Sequence, residues 1–227
     1  MHQLIISELL DLKETIASGA FEGCTYPWEA LSRIKDEILR IGPTLPKKDY
    51  DQPFENVWIE KSARVAKSAD INGPAIIGKN AEVRHCAFIR GNAVVGEGAV
   101  VGNSTELKNV ILFNKVQVPH FNYVGDSILG YCSHMGAGSI TSNVKSDKTL
   151  VKVKIEDEIN GERFETGLKK FGAILGDNVE VGCNCVLNPG SVVGRNVNIY
   201  PLSMVRGFIP AASIYKKAGE IVAKQMD

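Results

Sequence analysis

From Ile59 onward the chain keeps a six-residue hydrophobic beat. Aliphatic or aromatic residues stand at Ile59, Val65, Ile71, Ile77, Val83, Ile89, Val95, Val101, Leu107 and Phe113. Alanine holds a second string, four residues behind the first, at Ala63, Ala69, Ala75, Ala81, Ala87, Ala93 and Ala99. A helix of 3.6 residues per turn rotates a six-residue stripe away from any one face, so this is not an amphipathic helix. Short strands joined by tight corners can hold it. One large and one small inward residue per rung fill a narrow prism without voids, and two phase-locked strings identify a solenoid. The beat resumes at Leu175, Val181, Leu187, Val193, Ile199 and Val205, with Val179, Cys185, Ser191, Val197 and Ser203 in the small slot. Gly78, Gly96, Gly102, Gly176, Gly182 and Gly194 come just after the aliphatic slot, where a corner tolerates little side chain.

The flanks read differently. Ser7 to Ser18 and Trp28 to Ile41 have helical patterns, with a turn at Thr25–Trp28 and Gly19 as a helix stop. Leu39 to Pro53 reads as a Pro-rich linker. Between the two repeat blocks, apolar and polar residues alternate around Asn160-Gly161, which signals a hairpin jutting from the prism. Ala211 to Gln225 reads as a short helix closing the solenoid. The expected division is 1–57 for the helical segment and linker, 58–207 for the solenoid with a hairpin at about 149–170, and 208–227 for the closing helix.

Composition narrows the functions. The 227 residues carry 26 basic and 26 acidic side chains, which gives no electrostatic reason to expect nucleic acid or an anionic membrane. No run approaches the ~20 apolar residues of a membrane span, and the start lacks the order of a signal peptide. Five cysteines (Cys24, Cys86, Cys132, Cys183 and Cys185) do not suggest a disulfide scaffold, and a reducing cytoplasm is the plain expectation. Cys183-Asn184-Cys185 is half a zinc clamp at most. Cys185 takes the inward slot, Cys183 faces out, and no second pair completes four ligands. No metal is expected.

The repeat breaks at VPHFNYVGD, Val118 to Asp126, where His120, Asn122, Tyr123 and Asp126 crowd together. A loop histidine is the commoner meaning of a single His. Its position at the break makes His120 a candidate base, since an imidazole with an ordinary pKa of ~6.5 suits a proton leaving near neutrality.

The six-residue pattern resembles that of the hexapeptide-repeat proteins, which form left-handed parallel β-helices. The handedness follows from that resemblance alone, because crossover physics favours the right hand. The fold class implied is mainly β, a left-handed parallel β-helix with N-terminal helices, an inserted hairpin and a short C-terminal helix. Phe88 to Asn143 is similar to the acetyltransferase domain of bacterial N-acetylglucosamine-1-phosphate uridyltransferase/glucosamine-1-phosphate acetyltransferase, in a resemblance that covers roughly Trp58 to Pro210. It also resembles the β-helix tails of sugar-phosphate nucleotidyltransferases that carry a comparable hairpin. The segments that carry the likeness are Arg90…Glu106-x-Lys108, His120-x-x-Tyr123-x-Gly125-Asp126 and Gly136-Ala-Gly-Ser-Ile-Thr-x-Asn143.

The resemblance implies acetyl-CoA as co-substrate, a sugar phosphate as acceptor and a homotrimer. It makes His120 the general base and places Asn143 at the sugar or the acetyl thioester. Arg90, Lys108 and Tyr123 would hold the sugar phosphate. The backbone N–H at Ala137 would face the thioester oxygen. Lys148 follows Asn143 by five residues where the family has a lysine at six. His134 stands where the family has an asparagine near the sugar, and Cys183 where a serine contacts coenzyme A. Lys216 is a candidate for a coenzyme A phosphate. Plainer meanings stay open: Arg90 and Lys108 as solvated surface charges, Tyr123 as interface packing, Asn143 as a turn cap. Residues 1–57 lack the Gly-rich nucleotide loop of a pyrophosphorylase, so that activity is not expected of this chain. The functions weighed are N-acetylation of an amino-sugar 1-phosphate, acylation of a nucleotide-linked amino sugar or a sugar hydroxyl, and a non-catalytic trimeric scaffold or partner of a separate nucleotidyltransferase.

Overall fold

The computed structural model describes residues 2–155, 161–217 and 219–225. The alternating large and small inward slots produce short parallel strands that stack coil on coil. Val57 lies beside Ala75, and Ala75 beside Ala93, so each coil brings the chain back to the same face. Arg64–Val65 and Glu82–Val83 stack in the same way on a second face, and Asp70–Ile71 and Phe88–Ile89 on a third. One coil is therefore three six-residue rungs. Ile77, Val83, Ile89, Val95, Val101 and Leu107 are 0–1% exposed, and Ala75, Ala81, Ala87, Ala93 and Ala99 are fully buried. Each large aliphatic side chain contributes roughly 1.5–3 kcal/mol by leaving water.

The beat shortens before the VPHFNYVGD stretch. Ala93 faces Val110 and Val110 faces Ser127, and each step is one residue short of three full rungs. The dropped residues fall at Asn109 and Asp126, which stack on each other and take left-handed φ values of 54° and 47°. Glu106–Leu112 and Tyr123–Leu129 consequently run unbroken through a corner that other coils turn between two strands. The inward slot expected for Phe113 belongs to Leu112, which lies beside Val95. Phe113 instead meets Phe21 of the N-terminal segment edge-on, with ring centroids 6.0 Å apart.

The N-terminal helices are shorter than their patterns suggest. Ser7–Ser18 resolves into an α-turn at Ile6–Leu9 and a 3-10 turn at Leu12–Glu14. Gly19 lies inside a further 3-10 turn, Ser18–Phe21, rather than ending a helix. A 3-10 stretch at Pro27–Ser32 precedes the α-helix Ile34–Ile41. The cause is tertiary: the segment is moulded onto one prism face, whose outward Ile76, Val94, Ile111 and Ile128 are fully buried. Part of the expected linker is a strand, Tyr50–Phe54, antiparallel to Val57–Glu60.

The hairpin forms, with Lys152–Lys154 antiparallel to Arg163–Glu165, while Asn160 of its expected turn lies outside the described residues. It does not jut. Val151 and Val153 are fully buried, and the rings of Tyr26 and Phe164 meet at 6.0 Å. Alternation supplies an apolar side, and that side lies back against the molecule.

The C-terminal helix expected at 208–227 is absent among the described residues. Ser213–Lys217 is a strand whose Ile214 lies beside Asn198, and it turns back antiparallel into Glu220–Ala223. Ser213 and Tyr215 are buried while Ile214 and Lys216 are half-buried, a two-residue period that fits a strand. Gly219, at φ 77°, makes the reversal.

Candidate active site

The side chains singled out in the sequence collect at two neighbouring corners. At the first, His120 ends the strand Gln117–His120 and lies beside Asn103 of the preceding coil. The register continues through Gln117 beside His134, which stacks Ala137 on His120 and Cys183 on Ala137. Backbone bonds fix this column: Gly138 N–H donates to His120 O at 3.1 Å, and Asn184 N–H to Ala137 O at 2.8 Å. Gly102 permits the spacing, since a Cβ there would lie 1.6 Å from Pro119 O.

His120 is exposed, and its Nδ1 lies 3.2 Å from Asn103 Oδ1. A carbonyl oxygen there asks Nδ1 to carry the proton, which leaves the Nε2 lone pair facing outward. Asn122 holds the loop. It is 2% exposed, accepts from His120 N–H at 3.1 Å, and donates to Gly136 O and Ser139 O at 2.9 and 3.0 Å. A buried amide satisfied on both ends locks the coil of His120 to the coil of Ala137. Among the described residues the Ala137 N–H has no acceptor.

The second corner is built around Asp126, which is 5% exposed. Its carboxylate accepts from Lys108 Nζ at 3.2 and 3.1 Å, from Asn109 Nδ2 at 3.1 Å, and from Asn143 Nδ2. Asn143 also donates to Tyr123 Oη at 3.2 Å, which leaves the phenol O–H able to donate outward. Burial, then the Asp126 and Glu106 carboxylates, push the Tyr123 phenol above its usual pKa, so it stays protonated at neutral pH. Arg90 pairs with Glu106 at 2.7 Å. Arg90, Lys108, Tyr123 and Asn143 therefore share one cluster, and each cation already faces a carboxylate.

The remaining candidates lie apart. His134 pairs with Glu180 at 2.9 Å on the strand face before the Ala137 corner. Lys148 is exposed in the turn after Asn143, with no contact to the Asp126 cluster among the described residues. Cys183 is exposed on the His120 column, whereas Cys185 is buried. Lys216 lies on a strand and pairs with Glu220 at 3.3 Å. Asn103 was missed in the sequence. Its only signal is a position one residue short of a full coil before His120, which means nothing until the shortened coil is known.

Two family models match. The GMPPB C-terminal domain model covers residues 71–164, and the bacterial transferase hexapeptide (six repeats) model covers 172–207. The bifunctional protein GlmU of Methanococcus aeolicus is 38% identical over 124 residues, which is 55% of this chain and 29% of that protein. GlmU of Methanococcus maripaludis strain S2 is 32% identical over 231 aligned positions, covering 96% of this chain and 55% of that protein. The bifunctional sugar-1-phosphate nucleotidylyltransferase/acetyltransferase of Sulfurisphaera tokodaii is 32% identical over 116 residues, 51% of this chain and 28% of that protein. The chain thus spans at most about half the length of these curated relatives. With stacked six-residue rungs on both sides of the insert, the body of the chain is a left-handed parallel β-helix of hexapeptide repeats, and over the matched residues it is similar to the hexapeptide-repeat transferases.

Proposed function

We propose that the chain is an acetyl-CoA-dependent N-acetyltransferase acting on an amino-sugar 1-phosphate, glucosamine 1-phosphate or a close epimer. The observation that carries this is the His120 column: an outward Nε2 lone pair lies one coil from the Ala137 backbone N–H, which has no acceptor among the described residues. The sugar-1-phosphate and acetyl-transfer names of the relatives support the substrate class.

In this reading the sugar amine attacks the thioester carbonyl carbon, and His120 Nε2 takes the proton the nitrogen loses. Charge gathers on the carbonyl oxygen, where the Ala137 N–H donates to it. Collapse breaks the C–S bond, the amide forms, and the imidazolium returns its proton to the departing thiolate. Asn103 keeps the ring in the tautomer this needs. Arg90, Lys108 and Tyr123 orient the sugar phosphate, and Asn143 contacts the sugar or the acetyl group. Coenzyme A extends along the column through Cys183, and the working assembly is a homotrimer. His134, Lys148 and Lys216 are peripheral to these steps.

A second reading rests on the pairing of both cations with carboxylates, which lowers the pull of this corner on a dianion. It assigns a nucleotide-linked amino sugar, whose phosphates would sit elsewhere, as acceptor. Thiol release from acetyl-CoA, measured across amino-sugar 1-phosphates and nucleotide-linked amino sugars, decides between the two. If no acceptor is acetylated and coenzyme A does not bind, the chain is a non-catalytic scaffold.

A further inference from the structure

The chain as a whole is neutral, but one cavity is not. Between the hairpin and the coils at Asn188 and Arg206 lies a cavity of about 460 Å3, lined by Lys145, Lys152, Lys154, Arg163 and Arg206 with Asp147 as the one carboxylate among the described lining residues. Lys145 pairs with Asp147 at 3.3 Å, and Lys152 pairs with Glu165. Lys154, Arg163 and Arg206 have no carboxylate partner among the described residues.

These three cations come from separately anchored elements. Lys154 and Arg163 sit directly opposite each other in the hairpin register, a placement that is destabilising for like charges. Arg206 sits at a coil corner, next to Gly207, where the hairpin backbone presses close: a Cβ on Gly207 would lie 2.6 Å from Lys154 O. Backbone packing therefore brings three exposed cations, without a carboxylate partner among the described residues, around one space. An anion filling it would turn mutual repulsion into attraction. Guanidinium forks and ammonium groups suit phosphate oxygens, and the volume falls within the range of about 300–1,000 Å3 typical of small-molecule sites.

We propose that this cavity binds the diphosphate of a ligand of the nucleoside diphosphate class. Among the described lining residues three cations stand without a carboxylate partner, more charge than a single phosphate monoester needs. The cavity also adjoins the Asp126 cluster, because Ser142 and Val144 on its wall flank Asn143. A diphosphate held here would direct whatever it carries toward that cluster. Two molecules supply this chemistry: a nucleotide-linked sugar, and coenzyme A through its adenosine diphosphate end. The first source would deepen the second reading above. Diphosphate binding itself does not rest on acetyl transfer.

The test is calorimetry on the full chain with inorganic pyrophosphate, UDP and coenzyme A, at low and at high salt. It is repeated on a Lys154→Ala/Arg163→Ala/Arg206→Ala variant whose circular dichroism matches the parent. Pyrophosphate and UDP should bind saturably to the parent, and the variant should weaken both by roughly tenfold or more. Retained coenzyme A binding in the variant assigns the cavity to the nucleotide-linked source. Loss of coenzyme A binding together with pyrophosphate binding assigns it to coenzyme A. Absence of saturable pyrophosphate and UDP binding to the parent, or equal affinity in the variant, overturns the proposal. A failed transfer assay leaves these binding results standing.

Discussion

The coils before Leu107 and the coils shortened at Asn109 and Asp126 share one prism but are filled differently. From Val57 to Val101 every buried β-helix side chain is apolar, and each coil keeps its three full rungs. Buried polar side chains of the β-helix start at Thr105 and continue through Asn122, Asp126, Ser127, Ser133, Ser139 and Thr141. The shortened register occupies this same stretch. Apolar filling needs only volume, so it repeats and carries no address. A hydrogen-bonded interior needs particular partners at particular angles, so it is where the chain can fix a side chain such as His120. Irregularity in a solenoid marks the place where packing has been exchanged for positioning.

That contrast can be broken at its strongest point first. His120→Ala should leave secondary structure and melting temperature close to the parent, because the ring is exposed. On the best acceptor it should lower acetyl transfer by roughly 10²-fold or more. Near-normal turnover would move the base to another group, with His134 the first to test. Asp126→Ala attacks the interior network instead. Losing the shared acceptor of Lys108, Asn109 and Asn143 should destabilise by roughly 2–3 kcal/mol in urea melts and raise KM for the acceptor. Ala87→Leu tests the regular half. Overpacking should cost roughly 1–3 kcal/mol and leave kcat of the folded protein alone. An equal loss of kcat would show that the two halves are not separable.

The smallest effect concerns Asp177, which joins the N-terminal segment to the prism by accepting from the N–H groups of Asp11 and Tyr131 at 2.9 Å each. Burial raises its carboxyl pKa, against the pull of Arg195. A folded pKa above the unfolded one means that ionised Asp177 costs stability at neutral pH, and that this cost fades as pH falls through the folded pKa. The melting temperature of the parent should therefore gain on that of Asp177→Asn between pH 7 and the acid side. A gap independent of pH would show that the carboxyl is not strained.

The rungs were legible because Ile, Val and Ala at fixed spacing satisfy one local rule, and structure repeats that rule. His120, Tyr123, Arg90, Lys108 and Asn143 were legible as a group through a family likeness, and the structure places the last four together. Asn103 was not, because its meaning depends on a coil that is one residue short. The C-terminal strands were misjudged as a helix because Ala211 to Gln225 has good helix formers, and register with Asn198–Ile199 overrides them. The N-terminal helices were overestimated for the same reason: their shape follows the face they cover.

The strand pairing across the hairpin holds a further consequence. Ile128 faces Ile174 and Ile140 faces Val186, so the columns close over the insert as if it were absent. The first matching family model runs on through most of the insert to 164, and the second begins just after it at 172. The corner after Asn143 thus acts as a port where chain length can change while interior addresses stay fixed. Related chains with longer or shorter inserts should align poorly by residue count and well by column. An insert grafted at this port would meet the same ready-made neighbours, Asn143 on one side and Asn188 on the other.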